Sequence, residues 1–182
     1  MHPVLKVSLE PLSRTLEGLT MEEAQIEPQP GKGRWCAQQV VEHLILTYGM
    51  TVKAVSRHLK SNRAAKKDRG PIISLLRMHD ISLGRMPSGV PAVREARPKE
   101  FTPMDGLTLG ERLFATAEEM DRVLVQARRK FGVEPCGEHW FYGGLRVDEW
   151  RRYHAVHARH HVKQLKAAIQ YARLEKGNEP KG

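Results

Sequence analysis

The chain has 182 residues, with 30 Lys or Arg against 21 Asp or Glu and a formal net charge of +9. This length suits a single domain that buries its core without disulfides, and no stretch approaches the ~18 apolar residues of a membrane span. The two cysteines, Cys36 and Cys136, fit neither a zinc ribbon nor a CxxC redox motif, and no neighbouring residue activates either thiol as a nucleophile. The N-terminus lacks a signal-peptide pattern, so we expect a cytoplasmic protein in a reducing compartment.

The first third of the chain contains two long helical segments. Apolar residues at helical spacing predict the first from Val4 to Leu19, where Pro11 marks a kink or a late start. Thr20 is a predicted N-cap for a short helix from Met21 to Ala24. The turn-rich stretch EPQPGKGRW follows, and the second long segment is predicted from about Cys36 to Lys60.

A long irregular connection extends from Ser61 to Gly106. It is basic at first and then rich in Pro and Gly, with one short apolar helix predicted from Pro71 to His79. A connection of this length in a compact domain is usually functional or mobile, so we expect it to cover the mouth of a site. The basic run between Arg57 and Arg69 has no interleaved aromatic residues, which predicts a solvated loop and does not favour nucleic-acid binding.

Two further helical segments occupy the second half of the chain. Thr108 and Glu111 form a capping-box pattern before an apolar periodic run that stops at Gly132. After the loop EPCGEHWFYGGL, the last helix is predicted from about Val147 to Glu175, with acidic residues in its first turn.

The fold class follows from these four segments. Strand patterns are almost absent, and no hairpin dipeptide lies between β-branched stretches. Four amphipathic helices of this length predict an all-α four-helix bundle, with the long irregular connection between its second and third helices. One domain is expected over residues 1–176 and a disordered tail over 177–182.

Four of the nine histidines lie within eight residues of the last segment, and their spacing is informative. His157 and His161 are four apart, so they stack on one face of a helix, where two imidazoles can bind one metal ion. His154 falls on the same face, which also carries Trp150 and is expected to point into the core, while His160 points elsewhere. Buried imidazoles need polar partners, and a shared metal ion would satisfy them together.

A third ligand is expected from His43, in the middle of the apolar face of the second long segment. Three neutral imidazoles suit zinc, nickel or iron and leave a coordination position open for water or substrate. Gln164, one turn beyond His161, is expected to support a ligand. The alternatives stay open, because a lone core histidine is often a hydrogen-bonded packing residue and histidine pairs at helical spacing also occur by chance.

Other polar residues give weaker signals. His139 either lines a pocket or caps its loop, and the loop cap is favoured. Glu42, next to His43, is either a base or a support for a ligand or, as we expect, a solvent-facing side chain. On the last segment, Arg151 lies opposite the core face and is expected in solvent.

Two stretches resemble the DinB-like superfamily. The entry of that family's second helix is similar to PQPGKGRWCAQQVVEHL, and its last helix to HWFYGGLRVDEWRRYHAVHARHHVKQL, most of all in a branch with the pattern His-x-x-His-His-x-x-Gln. The resemblance implies a four-helix bundle, commonly dimeric, with a metal site formed by His43, His157 and His161. The sequence departs from the branch at Trp140, where proline is expected after His139.

The resemblance also suggests an activity. Members of known activity include metal-dependent thiol transferases and a mycothiol-dependent maleylpyruvate isomerase. The first hypothesis is therefore a metal-dependent thiol transferase or hydrolase that uses zinc or nickel on a small molecule, with basic side chains of the 57–69 region attracting an anionic substrate. The alternatives are a non-catalytic module with a structural metal or a basic surface for nucleic acid or an acidic partner, and a metal-free histidine cluster that senses pH. A homodimer is expected, and a membrane partner is not.

Overall fold

The computed structural model describes residues 1–66, 70–87, 89–99 and 102–178, and within these ranges the protein is all-α apart from one small hairpin. The α-helices are α1 (Pro3–Leu16), α2 (Met21–Gln25), α3 (Ala37–Ser61), α4 (Pro71–Arg77), α5 (Gly106–Phe131) and α6 (Val147–Asn178). A π-helical turn, Met78–Ser82, follows α4 directly, and a 3-10 turn spans Arg94–Ala96. The strands β1 (Gly137–His139) and β2 (Gly143–Leu145) pair antiparallel.

Each of the four long helices buries one apolar face. α3 packs along α5 and α1 along α6, and α3 also contacts α6. The chain leaves α1 before the predicted end at Leu19, and Gly18 takes a positive φ of 69° in the turn that follows. No helix in the described ranges is long and apolar enough to cross a membrane. The buried leucines of α1 are spaced three or four residues apart, as a one-sided helix requires: Leu5, Leu9, Leu12 and Leu16.

The bounds of α2 and α3 agree with the sequence prediction to within one or two residues. Thr20 caps α2 as predicted, because its hydroxyl accepts a hydrogen bond from the Glu23 N–H at 3.2 Å. α3 starts directly after Cys36 and stops at Asn62, which takes the left-handed conformation with a φ of 54°. A local capping residue was therefore sufficient for α2, and apolar spacing for α3.

The predicted start of α5 at Thr108 is wrong. α5 begins at Gly106, and Asp105 caps it by accepting a hydrogen bond from the Thr108 N–H at 2.8 Å. Tertiary contact explains the earlier start, because the Gly106 N–H donates to the Leu19 carbonyl at 2.9 Å. A Cβ at position 106 would lie 2.0 Å from the Leu16 carbonyl oxygen, so only glycine fits there.

The β1–β2 hairpin replaces the plain loop that the sequence predicted between α5 and α6. Its register pairs Gly137 with Leu145 and His139 with Gly143. Strands of three residues are too short to show alternation in a sequence. Glycine is required at Gly144, since a Cβ there would lie 2.1 Å from the backbone carbonyl oxygen of residue 66.

The last helix is slightly longer than predicted. α6 includes Gly177 and Asn178, so these two positions of the predicted tail are helical, and residues 179–182 lie outside the described residues. Positions 67–69 of the basic run also lie outside them.

Arg151 is not in solvent, contrary to the prediction from the helical wheel. Its side chain is 12% exposed and lies 2.8 Å from the carboxylate of Asp121 on α5, which is 8% exposed. The same carboxylate accepts a hydrogen bond from the backbone N–H of His2 at 2.7 Å. This ion pair therefore joins α5, α6 and the start of α1.

Replacing this arginine should destabilise the fold. We expect Arg151→Ala to lower the free energy of unfolding by about 3 kcal/mol, because it leaves the Asp121 carboxylate buried without its cation. Urea unfolding followed by circular dichroism measures the change. The matched control is Arg128→Ala, which removes an exposed ion pair with Asp148 and should cost under about 1 kcal/mol. Equal losses in the two variants would contradict a special role for the buried pair.

Candidate metal centre

Three histidines from α3 and α6 meet in the interior with their Nε2 atoms facing one another. His43 Nε2 lies 3.1 Å from His157 Nε2, and His161 Nε2 lies 3.0 Å from the same atom. All three side chains are buried, and one nitrogen from each lies within 4.8 Å of the others. With metal–nitrogen bonds of about 2.1 Å, two ligand nitrogens stand ~3.0 Å apart at a right angle and ~3.4 Å apart at the tetrahedral angle. The two separations from His157 Nε2 suit nitrogens that share one metal ion.

Helical periodicity explains why these rings converge. His157 and His161 lie one turn apart on the same face of α6, as their spacing predicts. That face contacts α3, where Thr51 Oγ1 lies 2.8 Å from His154 Nε2 and fixes how the two helices are aligned. The alignment places His43 opposite the histidine pair, although 114 residues separate it from His157.

Two of the rings are oriented by hydrogen bonds at the opposite nitrogen. His43 Nδ1 lies 2.7 Å from the Ala96 carbonyl oxygen, which can only accept, so Nδ1 carries the proton and Nε2 a lone pair. His161 Nδ1 donates in the same way to Gln164 Oε1 at 2.8 Å. His157 Nδ1 is buried without a hydrogen-bond partner among the described residues. Such orientation by outer partners is typical of histidines that bind metals.

Burial keeps the three imidazoles neutral. Desolvation lowers the pKa of His43 below its ordinary value and that of His157 well below it. Burial, with a further contribution from His43, lowers the pKa of His161 to about 3. Neutral imidazole is the form that binds a metal ion, so protons do not compete for this site near neutral pH.

The neutral cluster is one proton short. His43 and His161 each present an Nε2 lone pair, and His157 has a single ring proton to offer. If that proton sits on His157 Nε2, it can be donated to only one of the two neighbours, and the other Nε2 lone pair has no donor; if it sits on Nδ1, three lone pairs face one another about 3 Å from His157 Nε2. One cation at the centre would accept all three lone pairs, so the donor set fits a divalent metal ion.

Comparison with known protein families bears on this site directly. The family model described as the DinB superfamily matches residues 5–165, a range that includes all of α3 and the part of α6 with His157 and His161. The chain belongs to the DinB superfamily. This confirms the resemblance seen in the sequence. No curated protein and no solved structure matches the chain.

His154 lies next to the three-histidine centre and is not one of its members. His154 is fully buried, and its Nε2 is hydrogen-bonded to Thr51 Oγ1. Its ring packs edge-on against Tyr48, with centroids 4.7 Å apart. His160 lies outside the three-histidine group; it is half-buried, and its ring packs edge-on against that of His161 with centroids 5.1 Å apart.

His139 caps the hairpin loop, as the sequence favoured. Its Nδ1 accepts hydrogen bonds from the N–H groups of Phe141 and Tyr142, both at 3.2 Å. It also lines the cavity described below. Its packing against Tyr153, with ring centroids 4.7 Å apart, connects the hairpin to α6.

Glu42 does not face solvent, which corrects the sequence prediction. It is 8% exposed and accepts a hydrogen bond from Arg112 at 2.7 Å. The pair joins α3 to α5. Sequence reasoning missed the pairing because nothing in the local pattern shows which cation lies opposite.

Neither cysteine is available as a nucleophile. Both thiols are buried, and this burial raises the pKa of Cys36 and raises that of Cys136 to about 12. A thiol must ionise to react, so any thiol chemistry at this site must use a thiol from the substrate.

The histidine centre opens into a cavity of about 1620 Å³. The segment from Met86 to Arg97 contributes much of its wall, as expected for an irregular connection over a site. A pocket for one drug-sized ligand usually measures about 300–1000 Å³, so this cavity has room for more than one small substrate.

A buried hydrogen bond at the edge of the cavity had no signal in the sequence. The Tyr142 hydroxyl donates to Asp80 Oδ2 at 2.7 Å, and both residues line the cavity. Burial and this carboxylate raise the pKa of Tyr142 above its ordinary value. Asp80 lies in the π-helical turn Met78–Ser82, so the bond holds that turn against the hairpin loop.

Proposed function

We propose that this DinB protein is a metal-dependent thiol transferase for small electrophiles, built as a four-helix bundle from α1, α3, α5 and α6. His43, His157 and His161 would bind a divalent metal ion, zinc or nickel, through Nε2. The supporting observation is the missing proton among three converging, buried lone pairs. Three protein ligands leave a coordination position open toward the cavity.

The chain's own residues orient the three imidazoles. Ala96 and Gln164 fix the tautomers of His43 and His161 through the hydrogen bonds at Nδ1. The Tyr153 ring stacks on His157 with centroids 5.5 Å apart and limits the rotation of that imidazole. When bound, the metal supplies positive charge that stabilises a thiolate near neutral pH.

The proposed reaction balances without a redox partner. The substrate sulfur forms a bond to the electrophilic carbon, and the leaving group departs with the bonding electron pair. The thiol proton passes to solvent. Hydrolysis is the related possibility, in which water takes the place of the thiol.

A purely structural metal fits the geometry less well. Structural zinc sites are usually closed by four protein ligands. Within the described residues this centre groups three candidate ligands, and all three line a cavity large enough for substrates. The cavity therefore favours catalysis on small molecules over the alternative of a non-catalytic module.

The test uses protein purified without a histidine tag. After chelation, zinc or nickel is restored, and thiol consumption is followed with a panel of low-molecular-weight thiols and monobromobimane as the electrophile. We expect turnover that requires the metal and disappears in His43→Ala. Turnover that is independent of metal, or folded protein that binds neither metal, would contradict the proposal. Unfolding on chelation would favour a structural metal instead.

Gln164 should tune metal affinity without being a ligand. Gln164→Ala is expected to weaken zinc binding by about 10–100-fold, the usual cost of losing an outer hydrogen bond to a ligating histidine. Gln164→Glu keeps an acceptor for His161 Nδ1 and should retain most of the affinity. Competition with a chromophoric chelator measures both, and equal affinity in the alanine variant and the unaltered protein would count against this role.

A further inference from the structure

The cavity continues past the histidine centre as a groove along α3. Its α3 lining runs from His43 through Thr47, Met50 and Ala54 to Arg57. Other α3 residues between these positions also line the cavity, so its wall follows the helix over this whole stretch. At ~1.5 Å of rise per residue, the stretch from His43 to Arg57 covers about 21 Å. The groove is therefore long enough for an extended ligand.

The far end of the groove carries two cations. Lys53 and Arg57 are exposed, lie one turn apart on α3, and both line the cavity. Of the acidic side chains in the lining, Asp80 already accepts a hydrogen bond from the Tyr142 hydroxyl. Among the described lining residues, four are cationic (Arg34, Lys53, Arg57 and Arg97) and three are acidic (Asp80, Glu95 and Glu138). The end at Lys53 and Arg57 thus suits an anion.

Apolar side chains line the cavity along the same stretch of α3 as the cations. Met50 and Ala54 form the α3 side of this stretch, and Trp140, Phe141 and Met86 also line the cavity. Trp140 is 50% exposed, which is unusual for so large an apolar side chain. A ligand with a hydrocarbon body would remove this surface from water.

From these features we infer that the groove binds a long-chain carboxylic acid. The carboxylate pairs with Lys53 and Arg57, and the chain lies along Met50, Ala54 and Trp140. Its other end reaches the histidine centre, where it would present the electrophilic carbon; this last step rests on the proposed function, whereas the anchoring of the acid does not.

Titration calorimetry on chelated protein tests the anchoring separately from the metal. Each buried methylene strengthens binding by up to about fourfold, so decanoate should bind at least about tenfold more tightly than hexanoate, and tetradecanoate more tightly still. The double variant Lys53→Ala, Arg57→Ala should weaken decanoate binding about tenfold, because each exposed ion pair contributes up to about fivefold. Decanol, which has the same chain without the charge, should bind the double variant as it binds the unaltered protein.

A matched control removes the same charge elsewhere. Arg122 and Arg129 are exposed on α5, and neither is among the cavity-lining residues. The variant Arg122→Ala, Arg129→Ala should bind decanoate like the unaltered protein. The inference is overturned if the Lys53→Ala, Arg57→Ala variant binds decanoate as tightly as the unaltered protein, or if its affinity for decanol falls by the same factor. It is also overturned if the α5 variant loses as much decanoate affinity, or if affinity does not rise with chain length.

The two proposals can fail independently. Decanoate binding that depends on Lys53 and Arg57, without any metal-dependent turnover, would reject the thiol transferase and keep the acid site. Metal-dependent turnover, together with decanoate binding that does not depend on Lys53 and Arg57, would keep the thiol transferase and reject the acid site.

Discussion

His157→Ala is expected to lower zinc affinity about a thousandfold. His157 Nε2 is the atom that lies within 3.1 Å of both other ligand nitrogens, so its removal leaves two imidazoles without their shared neighbour. Structural zinc sites with four ligands bind with about 10–16 kcal/mol, or roughly 2.5–4 kcal/mol per ligand. The upper figure, expected for the ligand that neighbours both others, corresponds to about a thousandfold change. Competition against a chromophoric chelator and metal analysis of tag-free protein measure the loss.

His160→Ala is the matched control for that variant. It removes an imidazole from the same turn of α6, beside His161, but from a side chain outside the three-histidine group. Its zinc affinity should stay within about twofold of the unaltered protein, as for a non-ligand. If the two variants lose zinc equally, or if His157→Ala keeps it, the ligand assignment is wrong.

The part of the site that lies on one helix was predictable from the sequence. His157, His161 and Gln164 follow the helical period, so their shared face needs no tertiary information. His43 was chosen because it lies on an apolar helix face and matches the family motif. No sequence pattern predicts that the Ala96 carbonyl orients His43, because every residue type has a backbone carbonyl and this one lies in an irregular segment.

The fold shows the same division between local and long-range information. Thr20 marks a helix start that depends only on its neighbours, and it was predicted correctly. The start of α5 was missed because Asp105 caps the helix instead of Thr108, and the contacts of Gly106 with Leu16 and Leu19 favour this earlier start. Arg151 was placed in solvent because a wheel shows which face a residue occupies but not that a carboxylate on α5 lies against that face.

Metal-free protein is expected to lose stability steeply as the pH falls below about 6.5. Burial lowers the pKa of His43, His154, His157 and His161 in the folded state, that of His161 to about 3. The unfolded chain, with ordinary values, binds protons that the folded chain does not. Each histidine that stays neutral in the folded state removes up to about 1.4 kcal/mol per pH unit, so the four together remove up to about 5 kcal/mol per pH unit. Domains usually have about 5–15 kcal/mol of stability, so unfolding should occur between about pH 3.5 and 5.5.

His154→Gln separates this titration from the metal centre, because His154 is fully buried but lies outside the three-histidine group. The variant should lose stability on acidification about 1.4 kcal/mol per pH unit less steeply than the unaltered protein, whatever its stability at neutral pH. Urea unfolding with a chelator present, between about pH 5 and 7.5, measures both slopes. Identical slopes would mean that His154 binds a proton in the folded state or that the unfolded chain keeps it buried.

Restored zinc should raise stability at neutral pH and lose that effect on acidification, because only neutral imidazoles hold the metal.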